Sequence, residues 1–352
     1  MTADYSPYKI LVRSPNWLGD CVLAMPALRE LRKYRPNAMI SVLAKKSVAD
    51  LWKMCPYVDE VIPFEVRKGL MGLDDRWDLG RRLKKMSFDL CLIIPNSFDA
   101  AFVPFLARIR RRMGWATYGR GMLLNRKVPF PHHLDGEQQP HVQLYLVEKL
   151  LRHPVDHDLT AEIAIPEEAL EKTAGELAKD YFVICPGASY GTAKCWIPEN
   201  YAETILRLRK ETGLDCVLVG GRSDGAVCRN VMDMVSGKDE TAASWCHDLS
   251  GKTNLFELAA VLKGAKVLVT NDTGTMHLGA LVDTPVVAVF GPTNWLRTAP
   301  IGKNNVLLRG EHDCKKRCRR ECLSDHRCMK AVTVDMVAAA AMEKLKINLK
   351  DI

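Results

Sequence analysis

The feature that most constrains this chain is a regular alternation of short apolar runs with longer amphipathic segments. In the first half, apolar runs at 10–12 and 90–94 alternate with segments such as 22–34, where apolar residues recur at helical spacing. The second half repeats the pattern, with apolar runs at 182–185 and 216–219. Strands that alternate with helices form parallel sheets whose faces are covered by the helices. The sequence therefore predicts an α/β fold.

The length of 352 residues predicts two domains of similar size. We expect an N-terminal domain at 1–160, a C-terminal domain at 161–332, and an Ala-rich helix within 333–352. Two α/β domains create a cleft between their sheet edges, where a donor on one domain can meet an acceptor on the other. This organisation favours a group-transfer reaction.

Composition indicates an ordinary globular protein, with 47% hydrophobic and 26% charged residues. The first residues lack the pattern of a secretory signal, and no apolar run approaches the roughly 18 residues of a membrane span. We therefore expect a cytoplasmic protein. Among the 12 cysteines, Cys91, Cys185 and Cys216 fall in apolar runs and are interpreted as buried thiols.

A second group of cysteines lies in a basic, polar segment near His312 and His326. Its members are Cys314, Cys318, Cys322 and Cys328. The segment could bind a metal, but its spacing lacks the paired C-x-x-C pattern of common zinc sites. Reduced thiols in a surface loop are the favoured interpretation, and we expect neither a metal nor a cofactor.

A basic stretch without acidic residues extends from position 100 to 134. Its cations are Arg108, Arg110, Arg111, Arg112, Arg120, Arg126 and Lys127. Such a stretch attracts anions, although a solvated basic face is an equally simple interpretation. No zinc finger, aromatic RNA-binding motif or helix-turn-helix accompanies it, so nucleic acid is not an expected partner. A phosphorylated or membrane-associated substrate is the remaining functional interpretation of this basic stretch.

Two neighbouring strand ends in the second half predict a binding site for a phosphate-bearing ligand. The apolar run 265–269 leads into Asp272, Thr273 and Gly274, where a helix is expected to start. The free N–H groups and the dipole of a helix start bind phosphate. His277, one turn into the helix, is expected to point toward the same anion, although it could be a core histidine. A second apolar run, 285–290, ends in a loop expected at the same sheet edge, where ligands of open α/β sheets bind.

Lys194 lies in a Gly-rich loop after the apolar run 182–185, close to small hydroxyl residues. A lysine at this place can neutralise a leaving diphosphate. The loop does not match the P-loop pattern, and the segment 219–225 misses the dinucleotide spacing G-x-G-x-x-G. A P-loop ATPase and a dinucleotide dehydrogenase are therefore not supported.

Asp20 follows the first apolar run, close to the expected start of a helix. It could simply stabilise that helix start, as acidic residues in a first turn do. Alternatively, a carboxylate at a strand-to-helix turn faces the cleft and accepts a proton from a substrate hydroxyl as a general base. The residues alone leave both interpretations open.

Taken in order, five motifs resemble those of the bacterial ADP-heptose:lipopolysaccharide heptosyltransferases, glycosyltransferase family 9. They are NWLGD at 16–20, PNSF at 95–98, PGA at 186–188 with AKCW at 193–196, TNDTG at 270–274 with MH at 276–277, and FGPT at 290–293. The loop at 95–98, together with Gly114 and Trp115, is most similar to heptosyltransferase II. One departure from the family's pattern is Cys195, where a basic residue is usual before the tryptophan.

The resemblance implies a GT-B fold, with two Rossmann-like domains facing across a cleft and a C-terminal helix that crosses back to the first domain. The acceptor then binds the N-terminal domain and ADP-heptose the C-terminal domain. Asp20 matches the catalytic aspartate and Lys194 the lysine of the donor phosphates. The remaining matches on the donor side are Ser189, Asp272, Thr273, Gly274 and His277.

Together, the resemblance and these residues predict an inverting heptosyltransferase that acts on the first heptose of the lipopolysaccharide inner core. Its acceptor would be a phosphorylated lipid A, Kdo and heptose unit, bound by Asn96, Arg108, Arg111, Arg112 and Arg120. The basic stretch would also contact the cytoplasmic leaflet of the inner membrane. Two alternatives stay open: transfer at another core position, and a non-catalytic module that binds nucleotide sugars on the same fold.

Overall fold

The computed structural model describes residues 9–350 apart from 68, 178–179, 313, 315–317 and 319. The chain divides into two compact units, Met1–Ala164 and Ile165–Ile352, close to the expected boundary after position 160. Each unit is an α/β structure built around a six-stranded sheet. None of the described helices combines the length and the apolar character that a membrane crossing requires.

The first unit contains a sheet in the order β3-β2-β1-β4-β5-β6, in which every pair of neighbours is parallel. Its elements along the chain are β1 (Lys9–Arg13), α1 (Leu18–Tyr34), β2 (Met39–Lys45), α2 (Lys46–Lys53), β3 (Glu60–Phe64), α3 (Leu73–Met86), β4 (Leu90–Ile93), α4 (Phe98–Leu106), β5 (Arg111–Trp115), β6 (Arg126–Val128) and α5 (Gln139–Leu151).

The second unit contains a sheet in the order β12-β11-β10-β7-β8-β9, which is also parallel throughout. Its elements are α6 (Glu167–Glu176), β7 (Tyr181–Cys185), α7 (Pro198–Thr212), β8 (Asp215–Leu218), α8 (Gly225–Ser236), β9 (Cys246–Asp248), α9 (Leu255–Gly264), β10 (Leu268–Asn271), α10 (Gly274–Leu281), β11 (Val286–Val289), α11 (Trp295–Thr298), β12 (Asn305–Leu308), α12 (Arg327–Lys330) and α13 (Val334–Lys350).

The strand order of each sheet reverses beside its first strand, which is the doubly wound arrangement of Rossmann-like folds. In the first unit the reversal lies between β1 and β4, where Ile10 is opposite Leu90. In the second unit it lies between β7 and β10, where Val183 is opposite Leu268. Loops that follow the two central strands diverge at such a point and leave a crevice for ligands.

Burial on both faces explains why the central strands were predictable. Every residue of β4, β7, β10 and β11 is buried, and β4, β7 and β11 form continuous apolar runs in the sequence. The expected strand at 265–269 is observed slightly later, at Leu268–Asn271. The sequence did not predict β5, β6, β9 and β12, because polar residues interrupt the apolar pattern of each of these strands.

The C-terminal helix α13 contacts α7, β11 and β12 within the second unit. Its inward residues Val337, Ala341 and Leu345 are fully buried in the core of that unit. The small alanine side chains allow the helix to approach its neighbours closely. The expected return of residues 333–352 to the first unit stays a prediction.

Candidate functional site

Asp20 lies beside the strand-order reversal of the first unit, in the first turn of α1. Its Oδ1 atom accepts a hydrogen bond from Nε2 of Gln139, at 3.1 Å. Gln139 begins α5, a helix that packs against α1. The carboxylate lies at the positive end of the α1 dipole. Asp20 is therefore an oriented carboxylate at the carboxyl end of β1.

A buried arginine holds the turn that carries Asp20. The Arg13 guanidinium donates to the carbonyl of Ser14 and, at 2.9 Å, to Oδ1 of Asn16. It lies 4.7 Å from the ring centroid of Phe64. Burial lowers the pKa of Arg13 to about 10, so the group remains charged at neutral pH. Trp52 Nε1 fixes the same turn by donating to Ser14 Oγ at 2.8 Å. This support was not predicted from the sequence.

Asn96 follows β4, the strand on the other side of the reversal, and Arg120 shapes its loop. Arg120 is fully buried, and its guanidinium donates to the carbonyls of Trp115 at 2.8 Å, Ser97 at 3.2 Å, and Pro95. Burial lowers the pKa of Arg120 to about 10. The Oδ1 atom of Asn96 is buried without a hydrogen-bond partner among the described residues. A ligand hydroxyl can bond to this oxygen only after a rotation of the side chain that exposes it.

The other predicted acceptor arginines lie at the opposite edge of the first sheet. Arg111 begins β5 beside the start of β4, whereas Asn96 follows the end of β4. Arg108 immediately precedes that edge, and Arg112 donates to the carbonyl of Ile109 at 2.6 Å. The structure therefore does not bring Arg108, Arg111 and Arg112 together with Asp20. The charge pattern alone could not reveal which end of the strand they occupy.

At the reversal of the second unit, Lys194 and Asp272 form an ion pair. Lys194 belongs to a short turn after β7, and Asp272 directly follows β10. The Lys194 Nζ to Asp272 Oδ2 distance is 2.7 Å, with 5% of the Asp272 side chain exposed. The Lys194 ammonium also lies 5.5 Å from the ring centroid of Tyr190. The carboxylate therefore fixes where the ammonium points.

Asn271 connects both loops of this site, a role that the sequence analysis missed. Its Oδ1 atom accepts hydrogen bonds from the Trp196 amide at 2.8 Å and the Tyr201 hydroxyl at 2.9 Å. Its Nδ2 atom donates to the carbonyls of Pro186 and Gly187, at 2.8 and 3.2 Å. The side chain is fully buried, so these bonds are shielded from water. The position before Asp272 at the end of a buried strand was the available signal.

The start of α10 completes this site. The Thr273 side chain caps the helix by accepting from the Met276 amide at 3.4 Å, and Gly274 is the first helical residue. Burial lowers the pKa of His277 to about 4, and the nearby Lys194 acts in the same direction against the opposing effect of Asp272. His277 is therefore neutral at pH 7.

The structure brings Lys194, Asp272, Thr273, Gly274 and His277 to one edge of the second sheet. Ser189 is exposed on the same loop as Lys194. A helix start beside an oriented ammonium binds anions, because unpaired N–H groups and a positive charge converge there. The chemistry of this edge therefore suits a diphosphate.

The sequence allows either a metal site or free thiols for the group Cys314, Cys318, Cys322 and Cys328. All 12 cysteines are present as free thiols. Within the part of the chain that the structure describes, no three His, Cys, Asp or Glu side chains are grouped to hold a metal ion.

Comparisons with known proteins agree with this picture. Residues 76–327 match glycosyltransferase family 9 (heptosyltransferase). The chain is 31% identical to lipopolysaccharide heptosyltransferase 2 of Salmonella typhimurium, over 88% of this chain and 90% of the relative. It is 30% identical to lipopolysaccharide heptosyltransferase 2 of Escherichia coli, again over 88% and 90%.

Among solved structures, the ADP-heptose LPS heptosyltransferase II of E. coli superposes with a TM-score of 0.82. It is 27% identical and covers 97% of this chain and 99% of its own. The predicted GT-B class, with two Rossmann-like parallel-sheet units, is confirmed. With its motifs in order and a family match that extends over both units, the chain belongs to glycosyltransferase family 9, the heptosyltransferases.

Proposed function

We propose that this glycosyltransferase moves a heptose from ADP-L-glycero-D-manno-heptose to the first heptose of the lipopolysaccharide inner core, as heptosyltransferase II does. The observation that carries the proposal is the placement of chemistry-bearing side chains at the strand-order reversals. Asp20 lies at the reversal of the first unit, and the Lys194–Asp272 pair lies at that of the second. The substrates that we propose are inferred from the related heptosyltransferases.

Asp20 is the general base in the proposed reaction. Its carboxylate takes the proton of an acceptor hydroxyl as that oxygen attacks the anomeric carbon of the donor. The new glycosidic bond forms on the face opposite the leaving group, so the configuration inverts. Gln139 holds Oδ1 of Asp20 from one side and thereby limits rotation of the carboxylate.

The second unit stabilises the departing ADP. As the bond from the anomeric carbon to the diphosphate oxygen breaks, its electron pair stays on that oxygen. Lys194 and the N–H groups at the start of α10 offset the growing negative charge. Asp272 orients Lys194, and Ser189, Thr273 and His277 contact the rest of the donor. Because His277 is neutral, it acts as a hydrogen-bonding group and not as a second cation.

We place the acceptor at the carboxyl edge of the first sheet. The unpartnered Oδ1 atom of Asn96 supports this assignment, since it lies in the loop next to the Asp20 turn. Arg120 supports that loop from below through backbone carbonyls. Arg108, Arg111 and Arg112 are at the other edge, so a contact with acceptor phosphates beside Asp20 does not fit their position.

These arginines instead form part of a cationic surface that we assign to the inner leaflet of the inner membrane. Gly80 in the middle of α3 packs directly against Leu106 at the end of α4. Asn125 Nδ2 donates to the Arg110 carbonyl at 2.7 Å and brings Arg126 alongside. The surface contains Arg81, Arg82, Lys84, Lys85, Arg108, Arg110, Arg111 and Arg126. Anionic lipids attract such clusters by about 1 kcal/mol for each cation. This supports a cytoplasmic protein that associates peripherally with the membrane.

The test of the function is transfer from ADP-heptose to defined acceptors. One acceptor ends at Kdo, a second carries one heptose and a third carries two. Selective transfer to the second acceptor supports the proposal. Preference for the first or third would indicate another core position, and tight donor binding without transfer to any acceptor would indicate a non-catalytic module.

A further inference from the structure

The cysteine-rich segment contacts the loops after β7 and β11 of the second unit without taking part in the chemistry described above. We call residues 320–329 the clasp. At its first residue, the carbonyl of Arg320 accepts a hydrogen bond from the Ala193 amide at 3.1 Å. Ala193 is buried and immediately precedes Lys194. The clasp is therefore bonded to the turn that presents the ammonium.

Gly191 makes room for this contact. A Cβ atom at Gly191 would lie 2.2 Å from the Arg320 carbonyl oxygen and 2.6 Å from its Cα atom. Both atoms belong to the backbone, so no side-chain rotation could relieve the overlap. The φ angle of Gly191 is +149°, which also disfavours any other residue. The loop and the clasp can meet only because this position is glycine.

The other end of the clasp packs on the loop after β11. A Cβ atom at Gly291 would lie 2.3 Å from Sδ of Met329 and 3.2 Å from Sγ of Cys328. Met329 is fully buried and Cys328 nearly so. The strands β7 and β11 flank β10, whose end carries Asp272. The clasp thus contacts the loops on both sides of the loop that carries Asp272, and one of these two loops carries Lys194.

Two cysteine sulfur atoms accept hydrogen bonds from backbone amides of the clasp. The Leu323 amide donates to Sγ of Cys318, and the His326 amide donates to Sγ of Cys322, each at 3.3 Å. His326 has a φ angle of +58° and lies at the start of α12. These bonds stabilise a turn between Arg320 at one contact and Met329 at the other. They give the cysteines a structural role in this turn.

We propose that the clasp is a positioning element that holds Lys194 at the distance required by the leaving diphosphate. The inference rests on the proposed donor role of Lys194. The clasp touches neither substrate in this account and acts through the Gly191–Lys194 turn. A displacement of the ammonium by about 1 Å can lower a rate about 100-fold, so a rigid support of this kind controls turnover.

A double-mutant cycle tests the proposal, with Gly191→Ala, Lys194→Ala and the double variant. The measurements are kcat and KM for ADP-heptose, and the dissociation constant of ADP. Gly191→Ala should lower kcat/KM about 100-fold in the wild-type background and by less than about threefold when Lys194 is already absent. The control is Gly213→Ala, where φ is +71° but no atom lies within 4 Å of the new Cβ. It should leave kcat/KM unchanged.

If the two effects multiply in the double variant, the clasp acts independently of Lys194 and the proposal is overturned. Wild-type activity of Gly191→Ala also overturns it. An unchanged Lys194→Ala variant would instead remove the donor role of Lys194, and the clasp proposal with it. If Gly191→Ala does not fold, the variant Cys318→Ala with Cys322→Ala replaces it in the cycle, because it removes both sulfur acceptors. The same non-additivity is then expected.

Discussion

Among single residues, His277 of the proposed donor site is kept neutral by burial between pH 6.5 and 4. The imidazole is 4% exposed, and burial lowers its pKa from 6.5 to about 4. The unfolded chain therefore binds a proton between pH 6.5 and 4 that the folded protein does not. The free energy of unfolding therefore falls as the pH is lowered from 6.5 to about 4.

This linkage gives a testable difference between the wild type and His277→Gln. The contribution of His277 to the loss of stability between pH 7 and pH 4 is roughly 3 kcal/mol. Denaturant unfolding at several pH values measures it. The variant should lose less stability than the wild type over this range. Parallel curves for the two proteins would show that the imidazole titrates normally.

Asn271 is the second residue whose contribution can be measured directly. Replacement by Ala leaves the buried Trp196 amide, Tyr201 hydroxyl and Pro186 carbonyl without their partner. Unsatisfied buried groups cost about 1–3 kcal/mol each, so Asn271→Ala should lower the free energy of unfolding by about 3 kcal/mol or more. The exposed Asn230 in α8 is the control, with an expected change below about 0.5 kcal/mol. A small effect at Asn271 would contradict its role as a connector of both loops.

At the scale of secondary-structure elements, the sequence predicted the buried interior of each sheet better than its edges. Strands such as β4 and β11 are apolar throughout, so their pattern is clear. In contrast, β5 begins with Arg111 and Arg112, and β6 begins with Arg126, which made both strands resemble a basic loop. Tertiary pairing creates these strands, and local preference does not predict such pairing.

The site followed the same rule. The sequence could assign Asp20, Lys194 and the turn from Asp272 to His277 to the carboxyl ends of strands, because each lies in the loop or helix start that follows an apolar run. The edge on which the arginines lie depends on the direction and register of β5, which the sequence did not predict. The supporting contacts of Arg13, Asn271 and Gln139 join distant parts of the chain, so no local sequence pattern predicts them.

The packing of α3 on α4 can be tested at the element scale with two glycines. A Cβ atom at Gly80 would lie 2.8 Å from Cβ of Leu106, whereas one at Gly175 in α6 would meet no atom within 4 Å. Gly80→Ala should therefore destabilise the protein by about 1–3 kcal/mol through overpacking. Gly175→Ala should stabilise it by about 0.5–1 kcal/mol, because alanine is favoured in a helix. Equal effects in thermal or denaturant unfolding would mean that the two helices do not pack closely.

At the scale of the whole molecule, the net charge of +8 matters mainly through its distribution. Replacing Arg81, Arg82, Lys84 and Lys85 by Gln should weaken binding to vesicles containing anionic lipid by about 1 kcal/mol for each cation. The matched control replaces Lys210, Lys238, Lys263 and Lys303, which are exposed in the second unit. Co-sedimentation at low salt measures both. Equal losses would indicate a general charge effect and not a defined membrane surface.

In the proposed reaction each unit has its own role: a carboxylate on one removes the acceptor proton, and a cationic site on the other receives ADP. Asp20→Asn tests it most directly, because the amide keeps an oxygen for Gln139 but cannot take the proton. We expect the single-turnover rate of heptose transfer to fall about 10²- to 10⁴-fold, while the dissociation constant of ADP stays the same. Transfer at close to the wild-type rate would contradict the claim.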